Sequence, residues 1–414
     1  MSGSAAGHVI VIGGGMAGLA AAHRLGGAGR RVTVLESTAR LGGKLYTGDI
    51  AGVPVDFGTE GLPALRPEAV DLARAVGLGD RLRFPAVTPV ALWSGDALRP
   101  LPRGHGTGTP GDPAALADAL SPAGTVRTAR PRRPGAAPPS AGPAVMGLDG
   151  GAGALADAVA GAVRAAGGQV FLCTPALALT RTAHGWEVRT AARTLACDAV
   201  VIAAPAWTAS TLVAAAAPAA AAELCEVGYV STAVVTMAFR RRDVAGLAAL
   251  GDWSGFLVPP AAGRPGRAPV TASVKASTFM TAKWGWLAGR APDLFVLRTS
   301  LGRYGQEESL YLDDDDLVGA SLHDLRAATG LAARPVASHV TRWIGGLPRY
   351  PVGHRARVAR IRGALAALPG LELCGAAYDG VGVADCVASG RDAADRIMGG
   401  LVCDGFVSKT CGST

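Results

Sequence analysis

The chain has 414 residues, 49% hydrophobic and 17% charged, with a formal net charge of +8. That composition supplies a core large enough for two or three domains and excludes a disordered chain. The arginines are dispersed among apolar residues instead of lining one helix, so no nucleic-acid partner is expected; a polycarboxylate ligand, or peripheral contact with an acidic membrane surface, fits the same charge balance.

Residues 1–7 lack the basic start of a secretory leader and run directly into a strand, so a cytoplasmic location is expected. The seven cysteines, Cys173, Cys197, Cys225, Cys374, Cys386, Cys403 and Cys411, form no C-x-x-C pair; they read as free thiols, and no metal site is implied. The long uncharged stretch 199–222 carries Pro205, Pro218 and many alanines, which makes it a poor membrane span and a good strand, turn and helix.

In chain order, an apolar strand at 8–12, a glycine turn, a helix at 17–25 and a second strand at 31–35 read as a βαβ unit. Residues 103–143 hold eight prolines with Arg127, Arg130, Arg132 and Arg133, and read as a linker. Patterning resumes at 146–151, with a helix over 155–166, short strands near 169–172, 176–179 and 186–190, and a buried strand at 200–203. Alternation over 230–301 predicts an antiparallel sheet. The run Asp313 to Asp316 opens a helix reaching Thr329, its carboxylates favoured by the positive helix end. A strand at 371–375 and a glycine-bearing turn at 380–390 precede a last helix over 385–398, and residues 401–414 read as an unstructured tail.

The chemistry is concentrated in the glycine turns. Gly13-Gly14-Gly15-Met16-Ala17-Gly18 fits G-x-G-x-x-G between a strand and a helix, and Glu36 lies 18 residues beyond the last glycine. Gly13 permits the turn, Gly15 lets backbone approach a pyrophosphate, Gly18 lets helix pack on strand, and Glu36 is placed to accept from an adenosine ribose. That pattern alone leaves NAD and FAD open. Arg40-Leu41-Gly42-Gly43-Lys44 follows at once, its glycines allowing close approach and its cations neutralising phosphate; this extension resembles the second signature of FAD-binding oxidases. A further turn, 375–383, could direct a helix N-terminus at a flavin ring.

Further blocks make the resemblance specific: Asp56-Phe57-Gly58-Thr59-Glu60-Gly61, Leu98 to Pro102, Gly147 to Gly151, Lys283-Trp284, Leu347-Pro348-Arg349-Tyr350-Pro351-Val352-Gly353-His354, and Gly380 to Gly390. In this order they resemble the protoporphyrinogen and coproporphyrinogen III oxidase family, with an actinobacterial cast and a shortened middle. The resemblance implies an α/β fold: a Rossmann-like FAD-binding domain with a second α+β substrate domain built on an antiparallel sheet, an amine-oxidase-like architecture. The expected division is 7–102, 144–210 and 340–400 for the FAD-binding domain, 103–143 for the linker, 211–339 for the substrate domain and 401–414 for the tail.

The resemblance also implies FAD against Gly13, Gly14, Gly15, Met16, Ala17, Gly18, Glu36, Arg40, Gly43, Lys44, Gly58, Thr59, Glu60 and Gly61, adenine near Ala176, and the flavin near Trp343, Val381, Gly382 and Val383. It implies a tetrapyrrole substrate, a porphyrinogen oxidised by six electrons that pass through FAD to oxygen and release peroxide. Such chemistry asks mainly for positioning, and no catalytic acid or base is assigned. Arg99, Lys275, Lys283, Arg298 and Arg349 are the candidate cations for propionate groups, by position or charge. Two departures bear on the substrate: the family carries a longer segment where residues 124–146 lie here, and proline where Gly285 follows Lys283-Trp284. A flavin amine or secondary-metabolite oxidase, and a non-catalytic FAD-binding relative, stay open beside the porphyrinogen oxidase; the oligomeric state is not legible.

Overall fold

A computed structural model describes residues 7–93, 95, 97–100, 145–259 and 273–407; the linker expected at 103–143 lies outside the described residues. Five parallel strands form the first sheet, in the order Gln169–Phe171, Arg31–Leu35, His8–Ile12, Ala199–Ile202 and Leu371–Leu373. All five residues of His8–Ile12 are buried. That is why the strand reads as an unbroken apolar run: helices cover both faces of a parallel sheet. Chain order reverses at this central strand, and its carboxyl end is the switch point where open α/β sheets take their ligands.

Helix Met16–Gly27 leaves that point and packs against the last helix, Val383–Val407. The contact is close because Gly390 has no side chain: a Cβ there would lie 2.1 Å from the carbonyl oxygen of Ala17. The last helix starts two residues before the expected Asp385 and continues to Val407, so the expected tail begins as helix; only 408–414 lie outside the described residues. Helix Gly153–Ala165 has no cap from its own N-cap side chain. Asp56 and Thr47 supply one from a distant hairpin, accepting from Ala152 N (2.8 Å) and Gly153 N (2.9 Å).

Among the described residues the second sheet has seven strands, in the order Ala337–Pro348, Tyr229–Arg240, Leu294–Leu301, Val274–Thr278, Gly255–Leu257, Ala91–Trp93 and Leu98–Pro100; all neighbours are antiparallel except the fifth and sixth. One face buries Ala233, Val235, Met237, Phe239, Leu297 and Leu301 with Leu317 and Leu325 of helix Asp314–Thr329. Asp313 caps that helix by accepting from Asp316 N at 2.9 Å. The other face turns to the first half.

The structure shifts the expected borders. Strands 91–93 and 98–100 join the second sheet, and strand Ala337–Pro348 spans the expected 339/340 border. The border at 210/211 cuts helix Ala206–Val213, which with Pro218–Cys225 packs on Ile10, Val200 and Ile202 of the first sheet. Both helices are alanine-rich, so they carry little of the periodic contrast that marks a boundary. Among the described residues no helix is long and apolar enough to cross a membrane.

Candidate cofactor and substrate site

The glycine turn is built as a mouth. Gly13 takes φ +111°, and a Cβ on it would meet Ala203 O at 2.7 Å; a Cβ on Gly18 would lie 2.0 Å from Gly13 O. Those two glycines are therefore required by the protein's own packing. Gly15 is different. Its φ of −73° suits any residue, and nothing lies within 4 Å of its Cβ position. It faces open space at the start of helix Met16–Gly27, whose first turn carries no acid and whose N-cap has no side chain. Unmatched amides and the helix dipole there favour an anion.

Glu36 closes one side of this mouth. Its Oε2 accepts from Gly14 N at 2.7 Å, and its Oε1 from Thr38 N and Thr38 Oγ1, both at 2.8 Å. The carboxylate thus points at the glycine turn and retains acceptor capacity on Oε2. Thr174 N donates to Glu36 O and Cys173 N to Thr38 O, which ties the turn leading to Ala176 beside it.

Loop 40–44 forms the opposite lip. Gly15 and Gly42 pair as a parallel bridge, Gly42 N donates to Gly14 O at 2.9 Å, and the Gly43 Cβ position lies 3.5 Å from Gly15 Cα. Arg40 closes this loop on itself, donating to Gly43 O (2.7 Å) and Leu41 O (3.2 Å), with its guanidinium over Tyr46 and Trp343. It acts here as a brace more than as an outward cation. Lys44 has no carboxylate partner among the described residues. Burial lowers its ammonium below the ordinary lysine value.

Loop 58–61 touches both halves. Thr59 N donates to Lys44 O, and Gly58 fits against Lys44 O and Trp343 with no room for a side chain. Glu60, 6% exposed, pairs with Lys283 and Arg298. Burial alone would raise its carboxyl; Arg298 and then Lys283 overcome that and hold it at about 2. Arg298 also donates to Gly58 O. Two of the five candidate propionate cations are therefore committed to an internal acid, a pairing that linear sequence does not display. Asp56, four residues earlier and 3% exposed, moves the other way: burial raises its carboxyl to about 6 against hydrogen bonds from Thr47 and Ala152.

The face of the second sheet that meets this loop carries two telling rows. Thr278, Arg298, Thr236 and His339 lie in register, and His339 stacks on Phe57 at 4.1 Å. In the next row are Ala276, Ser300, Val234 and Thr341, none larger than valine. Trp343 follows on the edge strand, its Nε1 donating to Phe57 O at 3.3 Å and its ring edge-on to Tyr46. Tyr46, Phe57 and His339 were not among the expected site residues; Phe57 could have been found from its place in the 56–61 block, whereas Tyr46 and His339 lie outside the motifs.

At the C-terminal turn Val381 is partly exposed and Gly382 and Val383 are buried. Val383, Ala384 and Val387 pack with Met16, Leu19 and Ala20, so the two helix starts lie side by side. The remaining candidate cations are spread out. Lys275 occupies a register shift between Val274 and Ala276 and donates to Gly302 O at 2.8 Å; burial, then Arg303, lowers it to about 8. Arg349 lies over the Tyr304 ring at 3.3 Å, and Arg99 is exposed on edge strand Leu98–Pro100.

These residues fit FAD. The amide-lined mouth, the unpaired Lys44 and the space in front of Gly15 would take its diphosphate, and Glu36 its ribose. Gly58, Trp343 and residues 381–383 would border the ring.

The profile of the flavin containing amine oxidoreductases matches residues 16–136 and 123–398, its two pieces meeting inside the proline-rich stretch. The coproporphyrinogen III oxidase of Mycobacterium tuberculosis (strain ATCC 25618 / H37Rv) is 31% identical over 450 aligned positions, covering 92% of this chain and 95% of the relative. That of Propionibacterium freudenreichii subsp. freudenreichii is 27% identical over 497 positions, covering 94% and 90%. Both alignments exceed the 414 residues available, so these relatives carry segments that this chain lacks. Among solved structures, a protein from Exiguobacterium sp. 255-15 assigned as a protoporphyrinogen oxidase superposes with a TM-score of 0.77 at 25% identity, covering 95% of this chain and 99% of its own. Cyclohexylamine oxidase from Brevibacterium oxydans IH-35A, at 18% identity and a TM-score of 0.69, shares the fold, covering 96% and 100%.

Proposed function

The chain belongs to the flavin containing amine oxidoreductases, and within them to the coproporphyrinogen III oxidase family, and from that premise we propose that it oxidises a porphyrinogen, coproporphyrinogen III first, to the porphyrin with oxygen as acceptor and peroxide as product. The observation that supports the substrate is the row Ala276, Ser300, Val234 and Thr341, whose side chains, none larger than valine, suit the floor under a flat, bulky donor.

FAD, when bound, supplies the hydride acceptor and returns the electrons to oxygen. The chain's own residues do the holding. The helix start at Met16 and Lys44 fix the diphosphate, and Gly58 and residues 381–383 border the ring. Trp343 and Tyr46, backed by the buried ring of Phe57, would present aromatic walls that keep water from the reacting carbon. A methylene bridge between pyrroles gives up hydride readily, so positioning it accounts for most of the catalytic demand. Lys275, Arg349 and Arg99 are the candidate cations left for propionates, because Glu60 already occupies Lys283 and Arg298.

Anaerobic mixing with coproporphyrinogen III tests the reading. The flavin absorbance should bleach, and admitting oxygen should restore it with porphyrin fluorescence and peroxide. An unchanged spectrum excludes this substrate, and bleaching by an amine instead selects an amine oxidase.

A further inference from the structure

The turn 375–383 is hinged at both ends, with Gly375 at φ +120° and Gly380 at φ +138°. Backbone in these regions is open to glycine and little else, so each hinge brings conformational freedom that side-chain contacts must remove. Three contacts do so. Ser389, fully buried on the last helix, accepts from Gly375 N at 2.9 Å and donates to Asp379 Oδ2 at 2.5 Å. Arg362, on helix His354–Leu365, donates to both oxygens of Asp379 at 2.9 and 2.7 Å. Tyr350 donates its hydroxyl to Ala376 O and stacks on buried His354. The motif around residues 348–354 and the motif around 380–390, separate in sequence, are thereby one braced unit.

We propose that Asp379 is a positioning residue: clamped by Arg362 and Ser389, it fixes the turn so that the backbone of residues 381–383 is held against the flavin, stabilising the reduced, negatively charged ring. The side chain of Asp379 is only 9% exposed, and its carboxylate is engaged on both oxygens by partners from two different helices. Such charge-assisted bonds in a poorly solvated place are strong and directional. Losing the clamp leaves the two glycine hinges free, and amides that wander stabilise charge less well than amides held in place.

This inference rests on the FAD reading above but not on the substrate. The test is therefore made on flavin-loaded protein without porphyrinogen: reduction is followed against a reference dye, beside FAD dissociation and thermal unfolding. Asp379→Asn and Ser389→Ala should each shift the oxidised-to-reduced ratio about tenfold toward oxidised at fixed dye ratio, equivalent to about 30 mV for two electrons. The double variant should do no more than the larger single, because both break one clamp. Variants that unfold earlier yet keep the wild-type dye equilibrium and FAD affinity overturn the proposal, leaving Asp379 a stability residue only. Failure of wild-type protein to oxidise porphyrinogen sinks the function reading and leaves this measurement intact.

Discussion

In the nucleotide half, one contiguous run, residues 13–18, forms the centre of the mouth; the sheet facing it draws the row Val234, Ala276, Ser300 and Thr341 from four strands, one residue each. The first region needs backbone in a special conformation, and such demands select glycine at fixed spacing. The second needs only small side chains and committed charges, which many sequences satisfy. Loop 56–61 is where the two meet, and its acids show what each side imposes. Asp56 caps a helix of the nucleotide half and is raised by burial; Glu60 answers cations of the sheet and is lowered by them.

The sharpest way to break that junction is Glu60→Gln. Lys283 and Arg298 would keep their positive charge with no acid between them, and stripping one partner from a buried cluster costs about 3–5 kcal/mol. Denaturant unfolding at pH 7 should show a lower midpoint with an unchanged slope; a variant as stable as the parent would mean that the cluster is solvated. Next in size is Gly18→Ala, whose methyl would collide with Gly13 O. Forced overpacking of this kind costs about 1–3 kcal/mol, read in the same experiment.

Effects of comparable size separate the two acids by pH. Glu60 is held below its ordinary 4.5, so its contribution is present above pH 4.5 and fades as pH falls toward 2. Asp56 is raised above its ordinary 3.8, so its contribution is full below pH 3.8 and fades as pH rises through 6. Each is on the order of 2–3 kcal/mol over its window. Asp56→Asn should flatten the stability loss between about pH 4 and 6 while leaving the acid limb unchanged. The reverse pattern would exchange the two assignments.

Much of the fold was legible in the sequence. The βαβ opening and the helix entered at Asp313 have local causes, a buried parallel strand and a capping carboxylate; the antiparallel sheet forms where expected, although its strand Tyr229–Arg240 is buried on both faces from Thr232 to Phe239 and does not alternate. At the site, linear motifs located the glycine mouth and Glu36. They did not reveal that Arg40 turns back on its own loop, that Lys283 and Arg298 answer Glu60, or that Phe57 and His339 stack. Each of those pairs joins residues whose partner is set by tertiary packing or loop closure, which spacing along the chain does not encode. The strands at 91–100 were missed for the second sheet for the same reason: their pairing with Gly255–Leu257 is long-range.

The central claim is that the open space before Gly15 holds the diphosphate of FAD, and Gly15→Val tests it most directly. The position has an ordinary φ, and a Cβ added there has no neighbour within 4 Å, so the branch point of the new side chain enters open space. Purified side by side, the variant should match the flavin-stripped parent in its unfolding midpoint yet stay colourless, with FAD affinity down at least about 100-fold, roughly 2.7 kcal/mol. A yellow Gly15→Val protein with parental FAD affinity would contradict the account.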